Sequence, residues 1–178
     1  MLKIILIAVV VAIVGVLVFA ATRPDSFVVT RTAVIDAPPE TLEGMVSDFH
    51  QWAAWSPWEK MDPGMTRTYG GPASGVGATY AWVGNDKVGS GSMEIETVTA
   101  AREVVFGLHF LKPFKADNTG RFVFEPQGAG ATKVTWSMSG KSPYIAKLMG
   151  LVFNMDQVIG KDFEKGLADM KVAAERRA

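Results

Sequence analysis

The stretch Asp48-Phe49-His50-Gln51-Trp52-Ala53-Ala54-Trp55-Ser56-Pro57-Trp58-Glu59 carries three of the chain's five tryptophans, Trp52, Trp55 and Trp58. An indole combines a large apolar surface with one N–H that wants an acceptor, so it suits a lining that is apolar on one side and wet on the other. Pro57 keeps the helix-like segment before it from running on. Such a cluster either rims the mouth of an apolar pocket or plugs one end of a core. Tryptophan is well buried on average yet seldom fully buried, which is compatible with both.

Working outward towards the N-terminus, Leu42, Met45, Val46 and Phe49 keep helical spacing and predict a helix over residues 39–48. Pro39 costs little at its start, where N–H groups lack partners anyway. Residues 27–35 are β-rich and read as a first strand. Towards the C-terminus, residues 59–78 are rich in Gly and Pro and read as loop with at most one short strand. The period then becomes two. Tyr80 and Trp82, then Met93 and Ile95, then Val104, Phe106, Leu108 and Phe110, then Phe122 and Phe124, then Val134, Trp136 and Met138 each share a face, with mostly polar residues between. That is the alternation of an antiparallel sheet covered on one face. Breaks at Gly84-Asn85-Asp86, Asn118-Thr119-Gly120 and Gly128-Ala129-Gly130 fall at hairpin distances. From about residue 143, Ile145, Leu148, Met149, Val152, Met155, Ile159, Phe163, Leu167 and Met170 recur every three or four positions, predicting one long amphipathic helix. Such a helix facing a curved sheet encloses volume.

Residues 4–21 form an uncharged run of eighteen. As a helix it would be about 27 Å long, enough for a hydrocarbon core of roughly 30 Å. A cleavable signal peptide is the competing reading, with Val18-Phe19-Ala20 as a cleavage site. The run is longer than a usual signal core and its positive flank is thin, so we read it as a retained single-pass anchor (1–21), a link (22–26) and a domain (27–178). The domain is placed outside the cytoplasm, with Lys3 on the inner side and Arg23 and Arg31 competing from the other. Eighteen basic residues match eighteen acidic ones without long runs of one sign, which argues against a nucleic-acid partner. No cysteine and only two histidines, His50 and His109, argue against thiolate chemistry, disulfides and a His- or Cys-based metal centre; no cofactor is expected.

The order strand, proline-started helix, tryptophan-rich turn, strand meander and long C-terminal helix resembles the START-like (SRPBCC) superfamily, and within it the polyketide cyclase/dehydrase and lipid-transport branch. The residues that carry the likeness are Ile35-Asp36-Ala37-Pro38-Pro39-Glu40, the Asp48 to Glu59 stretch, Gly75-Val76-Gly77-Ala78 before Tyr80 and Trp82, and Met155-Asp156, Gly160, Asp162-Phe163-Glu164 and Gly166-Leu167. The resemblance spans residues 26–175. It implies an α+β helix-grip fold, a curved antiparallel sheet around the C-terminal helix with a hydrophobic cavity between them. It implies no catalytic residue, because such folds host binders, carriers and enzymes alike.

The expected ligand is a hydrophobic small molecule or lipid. Its expected lining is Trp52, Trp55, Trp58, Glu59, Tyr80, Trp82, Met93, Phe106, Leu108, Phe124 and Trp136, with Met149, Phe153 and Asp156 from the C-terminal helix. Methionine in such a wall adapts to varied ligands, though each also serves as ordinary core. Glu59 is either a carboxylate beside the aromatic wall or a solvated loop residue. Asp156 either lines the cavity or anchors a loop, since a buried charge needs partners. Asp48 is read as bracing the turn at Phe49. The glycine-rich residues 70–77 lack a phosphate-loop ending and read as a turn. Two other functions stay open: a cyclase, dehydrase or hydrolase using Glu59, Asp156, Tyr80 or Tyr69 as acid or base, and a solid-filled interaction module.

Overall fold

The computed structural model describes residues 1–128, 130–152 and 154–176. A first helix, α1 (Leu2–Ala21), is exposed along almost all of its length, and Ala20 is its one buried residue. The strand β1 (Ser26–Ile35) leads into α2 (Pro39–Ser47), a 3-10 turn over Phe49–Ala54, and α3 (Pro57–Met61). Asp48 braces that turn, its carboxylate accepting from the His50 N–H at 2.9 Å. Six further strands follow: β2 (Thr66–Gly70), β3 (Thr79–Val83), β4 (Ser90–Thr99), β5 (Glu103–Lys112), β6 (Ala116–Gln127) and β7 (Ala131–Lys141). The chain closes with α4 (Tyr144–Met149) and α5 (Met155–Glu175). The strands form one antiparallel sheet in the order β1-β7-β6-β5-β4-β3-β2. A register shift between Ile95 and Thr97 bends β4, as bulges do.

The alternating residues take the covered face as their period requires: Ile95, Val104, Phe106, Phe122, Phe124, Val134 and Trp136 are all buried. Onto this face α5 lays Phe163, Leu167, Met170 and Ala174, all buried. The tightest meeting is Trp136 on Phe163, with ring centroids 4.0 Å apart and planes 6° from parallel. Close approach there needs Gly166, where an added Cβ would sit 2.7 Å from the Trp136 ring and 3.2 Å from Pro57. Gly160 makes similar room for Arg31, which reaches from β1 to pair with Asp156 at 3.1 Å and Glu164 at 2.7 Å.

Two expectations need correction. Asn118-Thr119-Gly120 is not a hairpin turn but lies inside β6, paired with β5 and β7; the reversal falls at residues 113–115. Gly120 is in a strand because the Phe106 ring lies over it, 2.1 Å from where a Cβ would stand. The C-terminal helix is two helices, not one. The chain breaks after Gly150, and Asn154 restarts it by accepting from the Gln157 N–H at 3.2 Å. The apolar stripe therefore does not run continuously into the core: Ile145, Val152 and Met155 are exposed.

Gly166→Ala should destabilise the protein by about 1–3 kcal/mol, since neither an indole nor a proline ring yields easily. Gly44→Ala in α2, whose added Cβ meets nothing within 4 Å, should be neutral or stabilising by up to ~1 kcal/mol. Urea unfolding of both variants checks the contrast; equal effects would deny the close approach its role.

Candidate functional site

A cavity of about 730 Å³ lies between the covered face of the sheet and the α4–α5 segment. That is within the roughly 300–1,000 Å³ of small-molecule pockets. The sheet supplies Tyr80, Trp82, Met93, Phe106, Leu108 and Trp136, and the turn and α3 supply Trp52, Trp58 and Glu59. Met149 closes it from α4. The strand residues among them converge on one space because a period of two puts each on the same face of the sheet.

Three expected lining residues lie elsewhere, and Phe153 lies outside the described residues. Trp55 is wholly buried, donates its indole N–H to the Met45 carbonyl at 3.0 Å, and packs edge-on against Trp136 and Phe122. Trp55 therefore plugs the core, while Trp52 and Trp58 line the cavity. Phe124 is also core, ring-stacked on Phe122 beyond the cavity's end. Asp156 is half-exposed and holds Arg31 from the outer side of α5, so it anchors and does not line. Lysine and arginine partners at such distances are not readable from sequence spacing.

Glu59 is buried, not solvated. Its two carboxylate oxygens are engaged separately: Tyr80 Oη donates to Oε1 at 2.6 Å and Arg67 Nε donates to Oε2 at 2.7 Å. Burial, and then the Glu59 bond, push the Tyr80 phenol far above its ordinary range. Both effects keep Tyr80 a neutral donor at any physiological pH. Tyr69 stacks on His50, ring centroids 4.1 Å apart, and neither lines the cavity; His109 is exposed and bonds Asp117 at 2.7 Å.

The sequence reading missed Asp162. It lies on α5 between Ile159 and Phe163, facing the cavity, and makes no hydrogen bond among the described residues. Burial pushes its carboxyl above the usual range, and Lys165 offsets this only in part. The signal was present: positions 155, 159, 162 and 163 share one helix face, and an acid among Met, Ile and Phe there stands out. Phe27 and Ile159 were also missed as lining. No group of three or more His, Asp or Glu side chains placed to hold a metal ion occurs among the described residues.

Comparison with known proteins adds the following. The family model described as polyketide cyclase / dehydrase and lipid transport matches residues 26–175. A protein of Chromobacterium violaceum is similar in structure with a TM-score of 0.59 at 14% identity, covering 86% of this chain and 99% of its own. One from Mesorhizobium loti gives 0.56 at 18% identity, covering 81% and 96%. A START superfamily protein of Mycobacterium smegmatis gives 0.55 at 17% identity, covering 85% and 99%. These likenesses establish the fold. No curated protein matches in sequence.

Two outcomes are expected of the polar groups. Arg67→Met leaves the Glu59 carboxylate buried without its cation and should cost about 2–3 kcal/mol in urea unfolding, with the Glu59→Gln/Arg67→Met double variant recovering part of it. For Asp162, the folded state binds the proton more tightly than the unfolded chain, so its protonated form favours folding at low pH. That contribution is lost as pH rises from the unfolded carboxyl range through the raised folded value. Asp162→Asn should therefore gain stability relative to the native protein as pH is raised from about 3.5 to 6. Melting curves that stay a constant interval apart would show that the carboxyl is not desolvated.

Proposed function

We propose, from the premise that this chain belongs to the polyketide cyclase / dehydrase and lipid transport family of START-like proteins, that it is a membrane-anchored binding domain for a hydrophobic small molecule or lipid. The observation that carries this reading is the cavity of about 730 Å³ walled mainly by aromatic and methionine side chains. Such a wall gains about 25 cal/mol for each Å² of apolar ligand surface it removes from water, and it imposes little shape of its own. The polar trio of Glu59, Tyr80 and Arg67 is already satisfied internally, so it demands nothing of a ligand. A cavity this large also argues against a solid-filled interaction module. One observation favours a second reading, a cyclase- or dehydrase-type enzyme: the unpartnered Asp162 carboxyl in a water-poor space is placed as a general base is.

The anchor reading draws on α1, a twenty-residue helix that is apolar but for Lys3 and exposed but for Ala20, long enough to cross a bilayer; a signal sequence has the same character. We place the domain outside the cytoplasm, with Lys3 and the terminal amine at one end of α1 set against Arg23 at the other, Arg31 being engaged in ion pairs within the fold.

Native mass spectrometry of the detergent-extracted full chain should show a co-purifying apolar molecule. Leu108→Glu, which puts a charge on the cavity wall, should lower apolar-probe affinity at least about tenfold. An empty protein that binds no probe would end the ligand reading. Separately, the chain should resist carbonate extraction, and Val11→Arg with Val14→Arg should release it, at about 2.5–3.5 kcal/mol per charge at mid-bilayer. A mature N-terminus near Ala21 would instead identify α1 as a removed signal.

A further inference from the structure

Four lysines, Lys87, Lys112, Lys115 and Lys141, line the same cavity. They come from four separate places: the loop between β3 and β4, the end of β5, the turn after it, and the end of β7. All four are exposed, and none of their ammonium groups forms an ion pair or hydrogen bond with another described residue. This sets them apart from Arg31, Lys60, Arg67, Lys133, Lys147 and Lys165, each of which has a carboxylate partner. Exposed apolar residues accompany them around the opening: Phe114, Ile145, Met149 and Met155. The cavity is thus apolar within and positive at its rim.

The rim also has a fixed place relative to α1. The Tyr144 hydroxyl at the start of α4 donates to the Leu17 carbonyl at 2.9 Å. The link is held down at Asp25, whose carbonyl accepts from the Ser142 N–H at 2.7 Å and whose carboxylate pairs with Lys147. Phe27, six residues beyond Ala21, already lines the cavity, so that edge of the opening lies no more than about 20 Å from the end of α1 at roughly 3.3–3.6 Å per residue. Whatever surface α1 enters, the edge of the opening formed by Phe27 and by Lys141, the strand partner of Ser26, lies near it.

We infer that the ligand is a single anionic amphiphile, its tail inside the cavity and its acidic head held at the mouth by Lys87, Lys112, Lys115 and Lys141, taken from the bilayer against which α1 holds the opening. This rests on the binding reading above and adds the charge of the ligand and its source. Four unpaired ammonium groups beside a neutral head would gain nothing. Beside a carboxylate or phosphate head they gain charge-assisted hydrogen bonds while the exposed apolar rim residues meet lipid. Asp162 lies on the α5 wall, so the one unpartnered acid of the cavity faces the tail region or a hydroxyl on it rather than the anionic head.

The test uses the full chain in phosphatidylcholine vesicles and two probes of equal tail, cis-parinaric acid and its alcohol, at about pH 8, where the carboxyl is ionised. All five tryptophans lie outside α1, so energy transfer from indole to probe reports occupancy of the domain. The acid should bind about tenfold more tightly than the alcohol, and a variant with all four lysines changed to Gln should lose that preference while binding the alcohol as before. Probe partition into the vesicles is common to both proteins, so the ratio between them isolates the lysines. Butanoate and inorganic phosphate should not compete, which separates an amphiphile site from a plain anion site. Acid and alcohol binding equally to the native chain, a preference that survives the four substitutions, or displacement of the acid by phosphate would each overturn the anionic head alone. Absence of transfer from either probe would overturn the binding reading and this inference with it. If the acid binds equally well when vesicles are replaced by detergent-solubilised protein and aqueous probe, the bilayer is not the source.

Discussion

The stack of Trp136 on Phe163 is the contact on which the architecture turns. Trp136 also meets Phe122 face to face at 4.8 Å and takes Trp55 and Trp58 edge-on at 5.6 and 5.7 Å. One indole thereby joins the sheet, the tryptophan turn and α5. Beyond it towards the C-terminus, Leu167, Met170 and Ala174 are fully packed, so α5 closes on the sheet there. Before it, Met155 and Val158 are exposed and the helix stands away from β5 and β6. The cavity is the wedge left by a helix clamped at one end. Arg31, holding Asp156 and Glu164, keeps the open end from swinging free, but only along the β1 edge.

That geometry explains what the chain's letters disclosed. Strand faces follow from a strict period of two, so the covered wall was readable residue by residue, from Tyr80 to Trp136. The tryptophan cluster was readable as apolar and interfacial, yet not divisible: Trp52 and Trp58 face the cavity and Trp55 does not, a difference set by a 3-10 turn whose pitch the sequence does not announce. Gly120 mimicked a turn residue because the reason for its small size, the Phe106 ring above it, comes from a neighbouring strand. The break between α4 and α5 was hidden because Leu148, Met149 and Val152 keep helical spacing across it, and apolar spacing cannot say whether the face it marks meets core or solvent. The sequence left Glu59 open between a place beside the aromatic wall and a solvated loop, since its partners Arg67 and Tyr80 are brought to it by the pairing of β2 with β3.

Two carboxylates at the same cavity are treated oppositely, and the contrast bears on chemistry. Glu59 has both oxygens engaged by groups that hold α3 to β2 and β3, so breaking either bond would cost the fold. Asp162 has no such duty. Its desolvation favours the neutral acid, which donates one hydrogen bond and accepts others. A ligand hydroxyl or carbonyl that reached it would satisfy it, giving an otherwise unselective wall one fixed polar point. Binding and catalysis would begin from the same contact, and they differ in whether the bonded group leaves changed.

The balanced total of eighteen positive and eighteen negative side chains conceals a local imbalance. Eight cations, among them Arg31, Lys60, Arg67 and Lys147, spend their charge on acids within the fold. The four at the mouth do not, and their positions, 87, 112, 115 and 141, are too scattered in sequence to form a run. A neutral molecule with a positive opening feels no long-range pull towards an anionic surface beyond a Debye length of roughly 8 Å. It must be brought there by other means. A helix such as α1, joined by a link pinned at Asp25, supplies that nearness and raises the local concentration of lipid at the mouth without any gain in contact energy. On the reading proposed above, tether and rim would depend on each other: the tether would supply the lipid without choosing it, and the lysines would choose among heads only once within reach.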